Sequence, residues 1–135
     1  MKDSGERQNY INGAVREPTD NKGRFDLLPF LAMIELAKCF EKGAVKYAPR
    51  NWEKGIPLSR YLDSCLRHTI QFAIGMEDEE HLNQAVWNLI ALLETKIRIE
   101  KGLLPEELND IPSEFFKTNK DNFELFGDMF YNNKG

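Results

Sequence analysis

The chain has little cysteine and little histidine, and it lacks a long apolar run. Two cysteines, Cys39 and Cys65, stand among 135 residues, with no Cys-x-x-Cys pair. That excludes a disulfide-stapled scaffold and a thiolate zinc finger. Both cysteines fall in apolar helical patterns, where small buried thiols of a reducing compartment are expected. The two histidines are His68 and His81. The longest uncharged apolar stretch, Leu27 to Ile34, is interrupted by Pro29 and is too short to span a bilayer. Met1 to Arg7 is polar and has no apolar signal region. A cytoplasmic protein with no membrane association is expected. Basic residues are the minority, 18 against 22 acidic, for a net charge of −4. Stable nucleic-acid binding is disfavoured, because that affinity comes mainly from neutralising phosphates.

What is present fits one folded domain. Hydrophobic residues make up 41% and charged residues 30%, enough for a core and too apolar for wholesale disorder. Residues 1–24 are polar and turn-rich, punctuated by Gly5, Gly13, Pro18, Asn21 and Gly23, and read as an extended N-terminal arm. Residues 25–104 read as an all-α domain. A first helix spans about Leu28 to Tyr47, with Asp26 as a possible cap and Pro29 in its first turn. Phe30, Met33, Ile34, Ala37, Phe40 and Ala44 recur along it at helical spacing. A loop with two prolines, Ala48 to Leu58, leads to a second helix over about Ser59 to Ile74, with Ser59 as cap and Gly75 as terminator. Its apolar stripe reads Leu62, Cys65, Leu66, Thr69 and Ala73. A third helix over about Glu77 to Lys101 carries Leu82, Ala85, Val86, Leu89, Leu93 and Ile97. The short junction makes the second and third helices an antiparallel pair.

Residues 105–135 hold five of the nine phenylalanines, Phe115, Phe116, Phe123, Phe126 and Phe130, among polar residues. The segment cannot form its own core and reads as a docking tail. Three helices of this size bury little alone, so a homo-oligomer, dimer or tetramer, is expected to complete the bundle.

Three groups of residues could carry chemistry. Lys42 to Gly55 mixes cations, Asn51, Tyr47 and Trp52. Such a mixture suits a nucleotide: Lys and Arg neutralise phosphate oxygens, an aromatic face stacks a base, and an amide reads its edge. The structural alternative is a lysine-rich helix end followed by a tryptophan anchor. On the second helix, Ser64, His68 and Gln71 form a polar stripe beside Asp63 and Arg67, which can make a surface ion pair. On the third, Glu77 to Glu80 crowd the first turn, where acids favour the helix dipole. His81, Gln84 and Asn88 then form a second polar stripe. Two such stripes on facing helices need partners, because buried polar groups rarely go unpaired. Phosphate-ester hydrolysis at neutral pH is favoured by a hard divalent ion such as Mg²⁺ held by carboxylates, for which Glu35, Glu41, Asp63, Asp78 and Glu80 are candidates.

The segments Gly23 to Pro29, Glu41 to Tyr47, Arg50 to Gly55, Asp63 to His68 and Asp78 to Asn88 resemble the phage dATP/dGTP diphosphohydrolase family. That family includes the MazZ-type enzymes of phages that replace adenine with 2-aminoadenine. The likeness runs over about residues 13–100, in the same order and spacing. It implies an all-α fold like the MazG nucleotide pyrophosphohydrolases, which work as dimers or tetramers. Those enzymes use Mg²⁺ or Mn²⁺ to cut a triphosphate between the α and β phosphorus. The chain departs from the wider superfamily at one place. Where that superfamily has Glu-Glu-x-x-Glu and Glu-x-x-Asp, the matched positions read Arg67-His68-x-x-Gln71 and His81-x-x-Gln84. Histidine ligands would favour Mn²⁺ over Mg²⁺.

The expected function is metal-dependent hydrolysis of dATP or dGTP to monophosphate and pyrophosphate. His68, His81 and Glu80 are the expected catalytic residues, and Glu41, Asp63 and Asp78 the expected ligands for Mg²⁺ or Mn²⁺. Lys46, Arg50, Asn51, Trp52, Arg60, Arg67 and Asn88 are expected to bind the purine dNTP. The alternatives are a purine-nucleotide-binding protein without turnover, and a helical interaction protein acting through its C-terminal tail.

Overall fold

The computed structural model describes residues 5–18, 20–111, 124 and 127–129. These residues are predominantly helical. The chain divides into two compact units, Met1–Met33 and Ile34–Gly135.

The first unit corrects the reading of an extended arm. Strands β1 (Gln8–Asn9) and β2 (Val15–Arg16) pair antiparallel, with Gln8 opposite Arg16 and Asn9 opposite Val15. The turn residues explain the hairpin. Gly13 takes a left-handed φ of 84°. The Asn12 side-chain oxygen accepts the Ala14 amide at 3.1 Å, an Asx turn that draws the strands together. A short 3-10 turn follows at Phe25–Leu27. Asp26 does not cap a helix: its carboxylate accepts two bonds from the Arg24 guanidinium, at 2.8 and 2.7 Å. Helix α1 (Phe30–Lys46) starts directly after Pro29 and continues into the second unit.

The second unit is built on helices α2 (Leu58–Ala73) and α3 (His81–Glu100), packed along their length. They run antiparallel. His68 meets His81 near the connection, and Leu58 clusters with Ile99 at the other end. Two boundaries differ from the sequence reading. Ser59 is the second residue of α2, not its cap. Pro57 precedes the helix, and the vacant capping role falls to a distant carboxylate. Asp110 accepts the Ser59 amide at 2.9 Å and also its hydroxyl. A free amide of the first turn is thereby satisfied from the segment after α3. Helix α3 begins at His81 rather than Glu77. The acidic run therefore forms the connection and not a helical turn. Gly75 ends α2 as expected, with φ 86° and paired backbone bonds from Gly75 to Phe72 and from Met76 to Gln71.

The larger correction concerns which face is inside. The α2 residues buried are Leu58, Tyr61, Cys65 and His68. On α3 they are His81, Ala85, Asn88, Ala91, Thr95 and Ile99. Of the expected stripes only Cys65 and Ala85 are buried. Leu66 on α2 and Leu82, Val86, Leu89, Leu93 and Ile97 on α3 are exposed. Ala85, Ala91 and Thr95 are small, and small side chains at the contact let two helices approach closely.

Leu58, Tyr61, Ala91 and Ile99 form the core cluster, with Trp52, Ile56, Trp87, Leu92, Leu104, Leu108 and Ile111 packed on it. The segment after residue 104 thus contributes to the core at least as far as Ile111. The five phenylalanines of the expected tail lie outside the described residues. Phe40 carries α1 onto this core. Its ring centroid is 5.8 Å from Trp52 and 5.8 Å from Trp87, and Tyr61 meets Trp87 edge-on at 6.1 Å. Such aromatic pairs add about 0.5–1.5 kcal/mol each beyond their buried area. Gly55 closes the loop before α2 at φ 111°, where a Cβ would stand 2.8 Å from a Leu108 methyl. Both cysteines are free and buried. Among the described residues, no helix is long and apolar enough to cross a membrane.

Candidate active site

The loop after α1, with residues of α1, α2 and α3, encloses a groove of about 1100 Å³, open to solvent. Lys46 ends α1. Arg50, Asn51 and Trp52 form the turn after it, and Arg60 and Arg67 project from α2. Asn88 reaches the groove from α3. All seven expected substrate-binding residues therefore line one cleft, and Lys42, one turn before Lys46, joins them.

Local backbone explains part of the arrangement. Arg50 adopts φ 62°, a left-handed conformation uncommon outside glycine, and so turns the chain sharply into the 3-10 turn Asn51–Lys54. Its guanidinium pairs with Glu53 at 2.7 Å. Trp52 is held between Phe40 and the Arg98 guanidinium, which lies 5.7 Å from its ring. Tyr47, at the groove rim, is exposed. Asn88 is 6% exposed, and its amide nitrogen donates to the Gln84 carbonyl at 2.8 Å. That bond leaves the side-chain oxygen as the acceptor.

At the end of the α2–α3 pair the two polar stripes meet. The Nδ1 atoms of His68 and His81 are 2.9 Å apart, and the residues are 9% and 2% exposed. His81 Nε2 lies 2.7 Å from the Asp78 carboxylate. An ionised carboxylate can only accept, so His81 donates through Nε2 and turns its Nδ1 toward His68. The bond to His81 holds the Asp78 carboxyl below its usual range. Burial, and then the neighbouring Arg67 charge, push the His68 imidazole below its ordinary value, so it favours the neutral form. Glu79 completes the cluster. Ligand atoms from His68, Glu79 and His81 all fall within 4.8 Å of one another. The His81 amide bonds the Glu79 carbonyl at 2.9 Å, and this tight turn delivers the Glu79 side chain to the histidines.

Two imidazoles and a carboxylate form a donor set that fits a divalent cation. The Asp78–His81 bond is the kind of outer contact that orients a metal-ligating histidine. The buried Gln71 side-chain oxygen, one turn beyond His68, has no hydrogen-bond partner among the described residues and adds a spare acceptor at this end of α2.

The expected acids distribute differently. Asp78 touches His81 from behind. Asp63 lines the groove and pairs with Arg67 at 3.4 Å. Glu41 lines the groove from α1. Glu80 precedes α3 and lies outside both the groove wall and the histidine cluster, in which Glu79 stands instead. Sequence reasoning did not single out Glu79, because four consecutive acids are equivalent until the start of α3 is fixed.

No curated protein and no solved structure matches the chain. One family model does match, over residues 12–103, described as dATP/dGTP diphosphohydrolase, N-terminal. The match takes in α1, the cationic loop, both polar stripes and the acidic connection. The chain belongs to the dATP/dGTP diphosphohydrolase family, a family of nucleotide diphosphohydrolases.

Proposed function

We propose that the chain hydrolyses dATP or dGTP to the monophosphate and pyrophosphate with a divalent cation. The observation that supports this is a single groove in which a row of cations runs up to His68 and Glu79. In the reaction, water adds to the α-phosphorus. The bond from that phosphorus to its bridging oxygen breaks, and pyrophosphate leaves with the electron pair. Lys46, Arg50, Arg60 and Arg67 offset the polyphosphate charge of the bound substrate. Asn88 accepts from an amino group on the purine edge, and Tyr47, exposed at the rim with the Lys46 ammonium 5.2 Å from its ring centroid, stacks the base. His68, Glu79 and His81 would hold the cation. Such an ion polarises phosphate oxygens and makes bound water more acidic. Asp78 keeps His81 in the required tautomer.

The test is product analysis by ion-exchange chromatography, with each of the four dNTPs and with several divalent ions. Monophosphate and pyrophosphate from the purine substrates alone are expected. Tight purine binding without turnover under any ion would instead favour a sequestering or sensing protein. The histidines and glutamines at the superfamily's carboxylate positions motivate that second reading.

We also propose a homo-oligomer, dimer or tetramer. Its support is the exposed run Leu82, Val86, Leu89, Leu93 and Ile97, an apolar stripe along one side of α3. Light scattering should give a multiple of the chain mass, and Leu89→Glu with Leu93→Glu should give the monomer. A role for the tail in gripping a partner is tested by truncation after residue 111, which retains Asp110, Leu108 and Ile111.

A further inference from the structure

We propose that His68, His81 and Glu79 bind a first-row transition-metal dication in preference to Mg²⁺, with Asp78 as the positioning residue. The inference deepens the proposed hydrolysis by naming the class of ion at its site, and it rests on that reading for the ion's use, not for its binding.

Donor chemistry comes first. Two of the three donors are imidazole nitrogens. Mg²⁺ takes oxygen ligands and keeps much of its water, whereas imidazole suits Zn²⁺, Co²⁺, Mn²⁺ and their neighbours. Spacing is close. Two nitrogens at about 2.0–2.1 Å from one tetrahedral ion stand about 3.3–3.4 Å apart. The Nδ1–Nδ1 distance is 2.9 Å. The histidines would therefore separate by about half an ångström on loading.

Orientation agrees as well. His81 Nε2 lies 2.7 Å from the Asp78 carboxylate, and its Nδ1 faces the Nδ1 of His68, so one nitrogen is anchored and the other is aimed at the shared site.

Finally, the pair is buried where an apolar pair would cost less. Polar side chains in a helix interface need a use for their hydrogen-bonding capacity. Glu79 sits in the connection and is exposed, so it supplies charge and an opening to solvent together. Three protein ligands leave coordination positions free, as catalytic sites require.

The test uses the full chain stripped with EDTA and reads binding without nucleotide. Co²⁺ is titrated and followed by its visible absorption, and thermal unfolding is measured beside it. The expected result is one Co²⁺ per chain, a higher Tm, displacement by Zn²⁺, and no displacement by excess Mg²⁺. His81→Ala and Glu79→Gln should lose the signal. Asp78→Asn should weaken binding by about 10–100-fold. Glu77→Gln should leave it unchanged. A wild type with no Co²⁺ spectrum and no Tm shift would overturn the proposal and leave a hydrogen-bonded histidine pair. So would displacement by equimolar Mg²⁺, or full Co²⁺ affinity in Glu79→Gln, whose exposed side chain is not needed for folding. Hydrolysis without a Co²⁺ site, or a Co²⁺ site without hydrolysis, separates this inference from the functional one.

Discussion

The α2–α3 pair has two ends of opposite character. Far from the connection, Leu58, Tyr61, Ala91 and Ile99 make a mainly aliphatic and aromatic interior, sealed by Trp52, Leu104, Leu108 and Ile111, where the buried Thr95 hydroxyl is satisfied by the Ala91 carbonyl of its own helix. Beside the connection, the same two helices bury His68, His81 and Asn88. One end removes apolar surface from water, which is the main force of folding. The other end gives up part of that gain to keep hydrogen-bonding groups in fixed positions. Nothing in helix propensity requires the difference. The far end holds the fold, and the near end holds the proposed metal site.

The double replacement His68→Leu with His81→Leu is the most severe way to break that contrast. It should abolish turnover and any metal-induced rise in Tm. Stability of the metal-free protein should be unchanged or higher, because exchanging both members of a buried polar pair for apolar groups is neutral or stabilising. Urea unfolding beside product analysis would read both. A loss of several kcal/mol would make the near end structural after all. The mirror experiment is Leu58→Ala, which should cost about 2–5 kcal/mol by cavity formation. Nucleotide affinity of the folded fraction should persist.

Much of this was legible before the fold was known, but unevenly. The helices fell within a few residues of the sequence reading, because Pro29, Pro57, Gly75 and Gly102 punctuate them. The pairing of α2 with α3 followed from their short connection. The buried face did not follow. Leu82, Val86, Leu89, Leu93 and Ile97 give α3 its strongest apolar period, yet the helix buries the neighbouring face of Ala85, Ala91 and Thr95. Periodicity ranks faces by hydrophobicity, whereas close helix packing also selects for small side chains. The two polar stripes were visible as patterns, and their contact at His68 and His81 became definite only with the register of the pair. Glu79 and Asp110 were hidden for a related reason. Each acts through a tertiary neighbour that spacing does not reveal.

Smaller effects sharpen the same contrast. Gly55→Ala would place a Cβ 2.8 Å from Leu108 at a left-handed φ, and should cost about 1–3 kcal/mol in unfolding experiments. Asp110→Ala removes the substitute cap of α2 and should cost about 0.5–2 kcal/mol. Both act at the far end. Both should lower stability and leave the Co²⁺ affinity of the folded protein intact.

The smallest stability effect belongs to Arg67→Ala. Arg67 and Asp63 are both exposed, and their 3.4 Å pair is an i,i+4 contact on α2 worth a few tenths of a kcal/mol at most. Unfolding should therefore hardly change. The groove makes a different demand on the same side chain, because a polyphosphate meeting Arg67 gains a charge-assisted bond. Losing that bond should raise KM for the purine dNTP by about tenfold, with a smaller change in kcat. Lys96→Ala supplies the control, since Lys96 pairs with Glu100 on α3 and lies outside the groove wall. Raising the salt concentration should weaken nucleotide binding in the wild type more than in Arg67→Ala, because one fewer cation then takes part. If Arg67→Ala and Lys96→Ala have the same KM, the cationic wall does not bind phosphate, and the division between a structural end and a chemical end loses its substrate.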